Sequence, residues 1–300
     1  MKSHYHNPSA VVRVSGPDAY TFLQGQFTND LNHPPGRAVY GLWLNQKGRV
    51  VGDSTVLRLA AAEFLAVSQH TPSETLRRRI EDYIVADEVT VVDETGNWSA
   101  VKLWAEGTVE YLQQLAGGPP AVGTFIHHAG RLIFSGRYTA EANHGVLLPR
   151  GELDALRAGL SAMGAFTVTD EEAEGARIAA GLPVVPGDIG PDDLPNEGGF
   201  EVTAISYTKG CYLGQEVMSR LKNLGRIRRR LHLVRGAGPP PARLTLVYQN
   251  AARAGEIRSA ARDGDGFVAL AMLGLAALVS TAGLAFAPGK APELQIVRAV

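Results

Sequence analysis

The residues of this chain best suited to reactive chemistry are the eight at positions 209–216, Lys-Gly-Cys-Tyr-Leu-Gly-Gln-Glu, which include its only cysteine. Apolar residues recur every three or four positions after it, which predicts a helix that ends at Gly225 and holds Cys211 in its first turn. Unpaired backbone N–H groups and the positive end of the helix dipole favour a thiolate there, and Lys209 adds a positive charge. We therefore predict Cys211 and Lys209 as the catalytic residues. The alternative is a buried, inert cysteine.

The overall composition is that of an ordinary globular protein without a dominant charge. Of 300 residues, 45% are hydrophobic and 20% are charged, with 29 basic against 30 acidic side chains. This balance disfavours nucleic-acid binding by bulk charge, and the length predicts two or three structural units. A single thiol forms no internal disulfide and cannot alone hold an iron–sulfur cluster, which needs about four ligands. The N-terminus has no basic segment followed by an apolar run, so we expect a cytoplasmic protein.

Short apolar stretches alternate with helical patterns along most of the chain. Hairpin strands are predicted over 40–44 and 50–59, with further strands near 11–14, 64–67, 89–92, 100–103 and 132–134. Helical patterns begin after Asp18, after Thr71, and near residues 109 and 151. Hairpins and helices without βαβ regularity predict an α+β fold. The loop-like segment 181–199 is long enough to line or cover a site.

The C-terminal part predicts a small all-β unit. Short apolar runs at 244–248, 267–273, 278–285 and 294–297 are separated by turn residues. The uncharged stretch 267–287 is long enough to cross a bilayer, but Gly274 and Gly283 interrupt it and no basic cluster flanks it. We therefore predict two buried strands joined by a turn, and no membrane span.

The motif at 209–216, continued to Arg220, resembles the signature of the YgfZ family of folate-binding proteins, which are relatives of the glycine cleavage T-protein. Other segments resemble that family in the same order along the chain. They are Phe-Leu-Gln-Gly-Gln at 22–26, Thr-Asn-Asp-Leu at 28–31, Gln-Lys-Gly-Arg at 46–49, Leu-Pro-Asn-Glu at 194–197, Ala-Ile-Ser-Tyr at 204–207 and Arg-Arg-Leu at 229–231. The resemblance therefore spans most of the chain.

The resemblance implies both a fold and a function. Members of the family are implicated in making or maintaining iron–sulfur clusters in certain enzymes, including tRNA-modifying ones, with tetrahydrofolate as ligand. The implied fold is a GcvT-like folate-binding region with ferredoxin-like subdomains, followed by a C-terminal antiparallel β-barrel. We place the boundary so that residues 1–228 form the first region and 229–300 the barrel. The Pro-rich stretch 239–241 is then a loop of the barrel. Folate and iron–sulfur client or assembly proteins are the expected partners.

A folate site needs an apolar slot for the pterin, a carboxylate or amide for its guanidine-like edge, and basic groups for its glutamate tail. Glu197 is the candidate for the pterin edge, with a solvated loop carboxylate as the alternative. Tyr212 and Gln215 of the motif are also assigned to the ligand, and a core position is the alternative for Tyr212. Arg228 and Arg230 are the basic candidates from the arginine-rich run 226–230. Such a run also occurs as a solvated face or a phosphate patch.

Two departures from the T-protein pattern bear on catalysis. The relatives carry a folate-contacting carboxylate in an Arg-x-Glu-Ala-Gly-like segment, and this chain has Ala179 at that place. They also carry paired aspartates that include the catalytic acid, and this chain has Gly52 and Asp53 there. We assign Asp53 to the folate site, with an exposed hairpin residue as the alternative. Aminomethyl or other C1 transfer, with Asp53 or Glu197 as acid or base, is therefore the alternative function.

A third interpretation is an RNA-binding module that uses the arginines of 226–230; its binding would depend steeply on salt.

The histidine pairs at positions 4 and 6 and at 127 and 128 lack the helix spacing or third ligand of a zinc site, so we predict no metal.

Overall fold

The computed structural model describes residues 1–225, 227–276, 278–279 and 281–300. The helices are α1 (Ala19–Gln26), α2 (Ser73–Glu81), α3 (Thr108–Ala116), α4 (Leu153–Ala162), α5 (Asp170–Ala180) and α6 (Gln215–Leu224). The strands are β1 (Lys2–His6), β2 (Ala10–Ser15), β3 (Ala38–Leu44), β4 (Val50–Ala60), β5 (Glu63–Ser68), β6 (Thr90–Asp93), β7 (Trp98–Trp104), β8 (Phe125–His128), β9 (Arg131–Ser135), β10 (Asn143–Pro149), β11 (Phe166–Thr167), β12 (Arg229–Ala237), β13 (Leu246–Gln249), β14 (Ala252–Asp263), β15 (Gly266–Gly274) and β16 (Leu294–Ala299). Short 3-10 helices cover Thr95–Asn97, Arg150–Glu152 and Pro195–Gly198.

The strands form three sheets. The first has the order β3-β4-β5-β2-β6, the second β11-β1-β7-β10-β9-β8, and the third β13-β14-β15-β12-β16. All pairs are antiparallel except β1 with β11. The predicted hairpin is β3 paired with β4, and the four predicted helical patterns correspond to α1, α2, α3 and α4. The chain therefore has the mixed, mainly antiparallel architecture that the sequence predicts.

The second sheet uses its two faces differently. Val101, Leu103 and Val146 point to one face, where they share an apolar core with residues of α3 and α4. Because side chains alternate along a strand, the neighbouring positions of β1, β7 and β10 point to the other face. His4, Lys102 and Gly145 are partners in register on that face. The second sheet therefore presents polar groups away from its own core.

The third sheet packs against the first through a shared apolar core. That core contains Leu42 and Val50 from the first sheet, Leu231 and Leu270 from the third, and Met218 from α6. Isolated bridges pair Tyr248 with Ala285 and Leu284 with Leu294, so one short segment contacts both edges of the third sheet. The Pro-rich stretch 239–241 lies between β12 and β13, two strands of that same sheet.

The uncharged stretch 267–287 contains the predicted first strand, which is β15. The predicted second strand over 278–285 is wrong for the described residues of that segment, where only Leu284 and Ala285 make bridges. Position 280, within that predicted strand, lies outside the described residues. Over the part of the chain that the structure describes, no helix is both long and apolar enough to cross a membrane.

Candidate functional site

Residues 209–214 of the motif form a turn ahead of α6, and the last two residues of the motif begin that helix. Helix α6 begins at Gln215, after Gly214 with a φ of 84°. A Cβ at position 214 would lie 2.9 Å from the carbonyl oxygen of Asn45, so the close approach of the β3–β4 turn requires glycine there. The prediction that Cys211 lies in the first helical turn is therefore wrong. Gly214, in the left-handed conformation, precedes the helix, which begins at Gln215, four residues after Cys211.

Lys209 anchors this turn to the segment that follows α1. Its ammonium group is buried and donates to the carbonyl oxygens of Phe27 at 2.7 Å and Asn29 at 2.9 Å. Burial lowers its pKa to about 8, and Asp30 partly offsets that effect. Among the described residues, no hydrogen bond joins this ammonium to the thiol of Cys211. The helix start expected to favour a thiolate is therefore not at Cys211, and Lys209 directs its hydrogen bonds to backbone carbonyls and not to the thiol.

Cys211 itself is exposed, which excludes the buried, inert alternative. The next residue, Tyr212, belongs to the core between the first and third sheets, and its buried hydroxyl has no hydrogen-bond partner among the described residues. Burial raises the pKa of this tyrosine. The backbone N–H of Leu213 donates to the carbonyl of Gly25 at 3.0 Å. Anchors on both sides thus hold the thiol at the surface.

A cavity of about 350 Å³ lies elsewhere in the molecule, between the first and second sheets. Its walls come from β4, β5 and the segment after β5, from β1, β7, β9 and β10, and from α5 with the residues that follow it. None of the motif residues 209–216 lines it. The structure therefore separates the thiol of Cys211 from this cavity.

The second sheet gives the cavity a wall that carries a lysine and two histidines. The ammonium of Lys102 lies 4.9 Å from the ring centroid of Tyr138. Burial and Arg177 lower the pKa of Lys102 to about 8, and Glu174 and Asp170 partly counteract them. Burial also lowers the pKa of His4 and of His6 on the neighbouring strand.

Gly145 makes room for the ring under the lysine. A Cβ at position 145 would lie 2.5 Å from the hydroxyl oxygen of Tyr138. Glycine at this place in β10 therefore lets the tyrosine pack against the strand, directly beside the position of Lys102 in the register.

The first sheet contributes a carboxylate, Asp53. One of its oxygens accepts hydrogen bonds from the hydroxyls of Ser68 at 2.9 Å and Thr71 at 3.0 Å, and the other accepts one from Tyr40 at 2.9 Å. Burial and the neighbouring Asp53 hold the pKa of Tyr40 well above its usual value. Asp53 is half-buried and lines the cavity, so its interpretation as an exposed hairpin residue is wrong.

Helix α5 forms the third wall and was not predicted, although its start has a clear sequence signal. Thr169 and Glu172 make a capping box, in which each side chain bonds the other's backbone N–H. The helix directs Glu174 and Arg177 to the cavity, where they form an ion pair. Arg177 also donates to the buried carboxylate of Asp188 at 2.8 Å. The Thr-x-x-Glu spacing was sufficient to find this wall.

Of the residues predicted to bind folate, Asp53 lines the cavity and the others lie elsewhere. Glu197 is buried and accepts from Arg229 at 2.9 Å and from the backbone N–H of Leu194 at 2.8 Å. Arg230 donates to Glu201 at 2.9 Å and to the carbonyl of Val300 at 2.7 Å.

The remaining predicted residues are also accounted for. Arg228 is exposed, Gln215 starts α6, and Tyr212 is in the core. Arg226, from the same basic run, lies outside the described residues. Assignment of these side chains to folate stays a prediction, and the cavity does not include them. Within the described residues, no group of three or more His, Cys, Asp or Glu side chains is arranged to hold a metal ion.

The fold defines the class of protein. The chain superposes on the crystal structure of the glycine cleavage system aminomethyltransferase T from Bartonella henselae with a TM-score of 0.84. The match covers 99% of this chain and 85% of that chain at 21% identity, so it shows the fold alone. The family described as GCVT N-terminal domain matches residues 7–205, and the chain therefore belongs to that family. This confirms the resemblance to relatives of the T-protein.

Particular relatives within this class carry functional names. Two are named iron-sulfur cluster assembly factor IBA57, mitochondrial. The mouse protein is 29% identical, over 88% of this chain and 75% of its own length, and the human protein is 28% identical, over 88% and 74%. Another relative, a 4-methylaminobutanoate oxidase (formaldehyde-forming) from Paenarthrobacter nicotinovorans, is 23% identical over 72% of this chain and 28% of its own length. The names of the mouse and human relatives call them mitochondrial, and the cytoplasmic location of this chain stays a prediction.

Proposed function

We propose that this chain binds tetrahydrofolate, or another reduced folate, and supports iron–sulfur cluster assembly or maintenance in client enzymes, tRNA-modifying enzymes among them. The observation that carries the proposal is the cavity between the first two sheets, in a chain of the GCVT N-terminal domain family. The names of its mouse and human relatives support the role in cluster assembly. We also propose that the bridges at Leu284 and Ala285 close the third sheet into the family's C-terminal barrel. In this proposal the first region ends at residue 228 and consists of ferredoxin-like subdomains.

The cavity has the size and the lining of a small-molecule binding site. Its volume of about 350 Å³ lies in the range of small-molecule sites. Tyr40, Phe134 and Tyr138 give it aromatic walls against which a pterin ring packs. A carboxylate offers about four acceptor positions, and Asp53 uses three of them on hydroxyl groups. One position remains for an N–H of the ligand. The bound folate would supply a carrier for one-carbon groups.

The same proposal gives Cys211 a role at the surface. Iron–sulfur clusters are held by thiolates, about four for each cluster, so one exposed cysteine supplies a single ligand and the partner protein must supply the others. The hydrogen bonds of Lys209 and Leu213 fix the backbone on either side of the thiol. We assign to Cys211 the contact with a thiol, a cluster or an oxidised group of a client or assembly protein.

Two measurements test the proposal together. Calorimetric titration with 5-formyltetrahydrofolate, a stable reduced folate, should show saturable binding that Asp53→Ala weakens and that Asp265→Ala, at an exposed loop carboxylate, leaves unchanged. In a host that lacks its own copy of this protein, the wild type should restore activity of an iron–sulfur enzyme. Cys211→Ser should bind the folate and fail to restore that activity. Absence of folate binding by the folded wild type would refute the proposal.

A folate-dependent aminomethyltransferase, or another C1-transfer enzyme, is the second candidate, because Asp53 lies in the cavity. Ala179, at the place of the relatives' folate-contacting carboxylate, is exposed and does not line the cavity. Formation of methylenetetrahydrofolate from an aminomethyl donor, lost in Asp53→Asn, would establish this candidate. No turnover by protein that binds the folate would exclude it.

A further inference from the structure

Two positive charges that line the cavity form no ion pair with a carboxylate of the described residues. Three basic side chains, Lys102, Arg137 and Arg177, line it together with three carboxylates, Asp53, Asp170 and Glu174. Arg177 pairs with Glu174, Asp170 accepts from His4 at 2.7 Å, and Asp53 accepts from neutral hydroxyls. Neither Lys102 nor Arg137 forms an ion pair or a side-chain hydrogen bond with any described residue.

Aromatic rings hold both cations in place without neutralising them. The ammonium of Lys102 lies 4.9 Å from the ring centroid of Tyr138, and the guanidinium carbon of Arg137 lies 4.1 Å from that of Tyr40. Such contacts restrict a long side chain and leave its N–H donors available to a ligand. Arg137 and Tyr138 are consecutive residues, and both line the cavity. The cations are therefore parts of one prepared surface.

We infer that the cavity recognises a ligand carrying two carboxylate groups through Lys102 and Arg137. In a partly desolvated site a cation without a direct ion-pair partner favours an anion, and a charge-assisted hydrogen bond is stronger than a neutral one. Resting on the proposed function, this assigns the glutamate tail of the folate to these two side chains. Of the two arginines that the sequence offered for the tail, Arg230 already pairs with Glu201, and neither Arg230 nor Arg228 lines the cavity.

The inference is tested by comparing ligands that have and lack the tail. The probes are 6-methyltetrahydropterin, which has no carboxylate, and 5-formyltetrahydrofolate with one or three glutamates. Lys102→Met and Arg137→Met should each weaken binding of the folates about 10-fold or more, because each loses one charge-assisted hydrogen bond. Binding of the pterin should change by less than about 2-fold, which also reports that the cavity is intact. Lys102→Arg should retain most of the folate affinity.

The controls are Lys290→Met and Arg150→Met, which remove exposed cations of the same kinds outside the cavity. Free diglutamate should displace the folate, and inorganic phosphate at the same concentration should not. Folate binding that survives both cavity substitutions, or displacement by phosphate alone, would overturn the inference and leave the proposed function standing. If neither the pterin nor the folates bind the wild type, the proposed function fails and this inference fails with it.

Discussion

Substitution of Lys209 by methionine separates two roles for the lysine of the motif. The sequence suggests an electrostatic activator of Cys211, and the structure shows an anchor whose ammonium binds two backbone carbonyls. Methionine has a similar length and no charge, so it removes both roles and keeps most of the packing. If Lys209 is an anchor, the substitution should lower the free energy of unfolding. If it is an activator, the substitution should slow the reaction of the Cys211 thiol.

The size of the expected loss follows from two opposing terms. Each carbonyl oxygen left without its donor costs roughly 1–3 kcal/mol, so the pair costs about 2–6 kcal/mol. Against this, the fall in the pKa of Lys209 from 10.5 to about 8 means that burial disfavours its ammonium by about 3 kcal/mol, a penalty that methionine avoids. Taking the middle of the first range, we expect Lys209→Met to lower the free energy of unfolding by about 1 kcal/mol at pH 7.

The loss should grow with pH. The unfolded chain keeps the proton of Lys209 up to its ordinary pKa, whereas the folded chain releases it near pH 8. Between these values the unfolded state binds more protons, so the stability of the wild type rises with pH by up to about 1.4 kcal/mol per pH unit. The methionine variant lacks this increment. Lys102, which has a similarly lowered pKa, is present in both proteins and its contribution cancels.

Urea unfolding at pH 7 and pH 9 measures the stability, and reaction of the folded protein with a chromogenic disulfide measures the thiol. Lys222→Met is the control, because Lys222 is exposed, its ammonium lies over the ring of Tyr207, and it donates to no carbonyl of the residues that the structure describes. We expect it to change stability by less than about 0.5 kcal/mol. Labelling of Cys211 should stay within about 2-fold in both variants. A methionine variant of unchanged stability whose thiol reacts several times more slowly would refute the anchor and restore the activator.

Three further predictions follow from the separation of the cavity from the motif and from the charges in each. Saturation with 5-formyltetrahydrofolate should change the labelling rate of Cys211 by less than about 2-fold, because no motif residue lines the cavity. The calorimetric affinity for that folate should fall about 10-fold from pH 7 to pH 9 as Lys102, with a pKa of about 8, loses its charge, and Lys102→Met should give a flat profile. Glu197→Gln should lower the free energy of unfolding by roughly 1–3 kcal/mol in urea titrations, since Arg229 loses one of its two charged partners and keeps Asp193. The same variant should bind the folate with unchanged affinity.

The elements that local patterns specify could be predicted from the sequence. The hairpin of β3 and β4 follows from two alternating strands around an Asn-to-Gly turn, and α2 follows from the helical spacing of Leu76 and Ile80, which are both buried. Strands β1 and β10 were missed. In β1, His4 and His6 face the cavity, and in β10 a residue larger than Gly145 would collide with Tyr138. Neither strand therefore has the apolar alternation of a half-buried sheet.

The location of the site was less accessible, because its residues come together only in the folded chain. Asp53 was found through a family motif, whereas Lys102 and Arg137 lie in segments that carry no motif and stand far apart in sequence. Glu197 and Arg230 were plausible as free charges. Their ion pairs with Arg229 and Glu201 join residues about 30 positions apart, a distance that no local pattern reports.

A short chain of contacts nevertheless connects the motif with the cavity. The carbonyl of Asn29 accepts from Lys209, its amide donates to the carbonyl of Tyr40 at 2.9 Å, and the hydroxyl of Tyr40 donates to Asp53. Contact by itself does not couple two sites, because coupling requires an element with two arrangements that both sites bias. Tyr40 lies in β3 with the guanidinium of Arg137 over its ring, so we expect it to keep one arrangement whether either site is occupied or empty. The loss of client activity in Cys211→Ser and the loss of folate affinity in Lys102→Met should therefore be independent, and the double variant should show each loss undiminished.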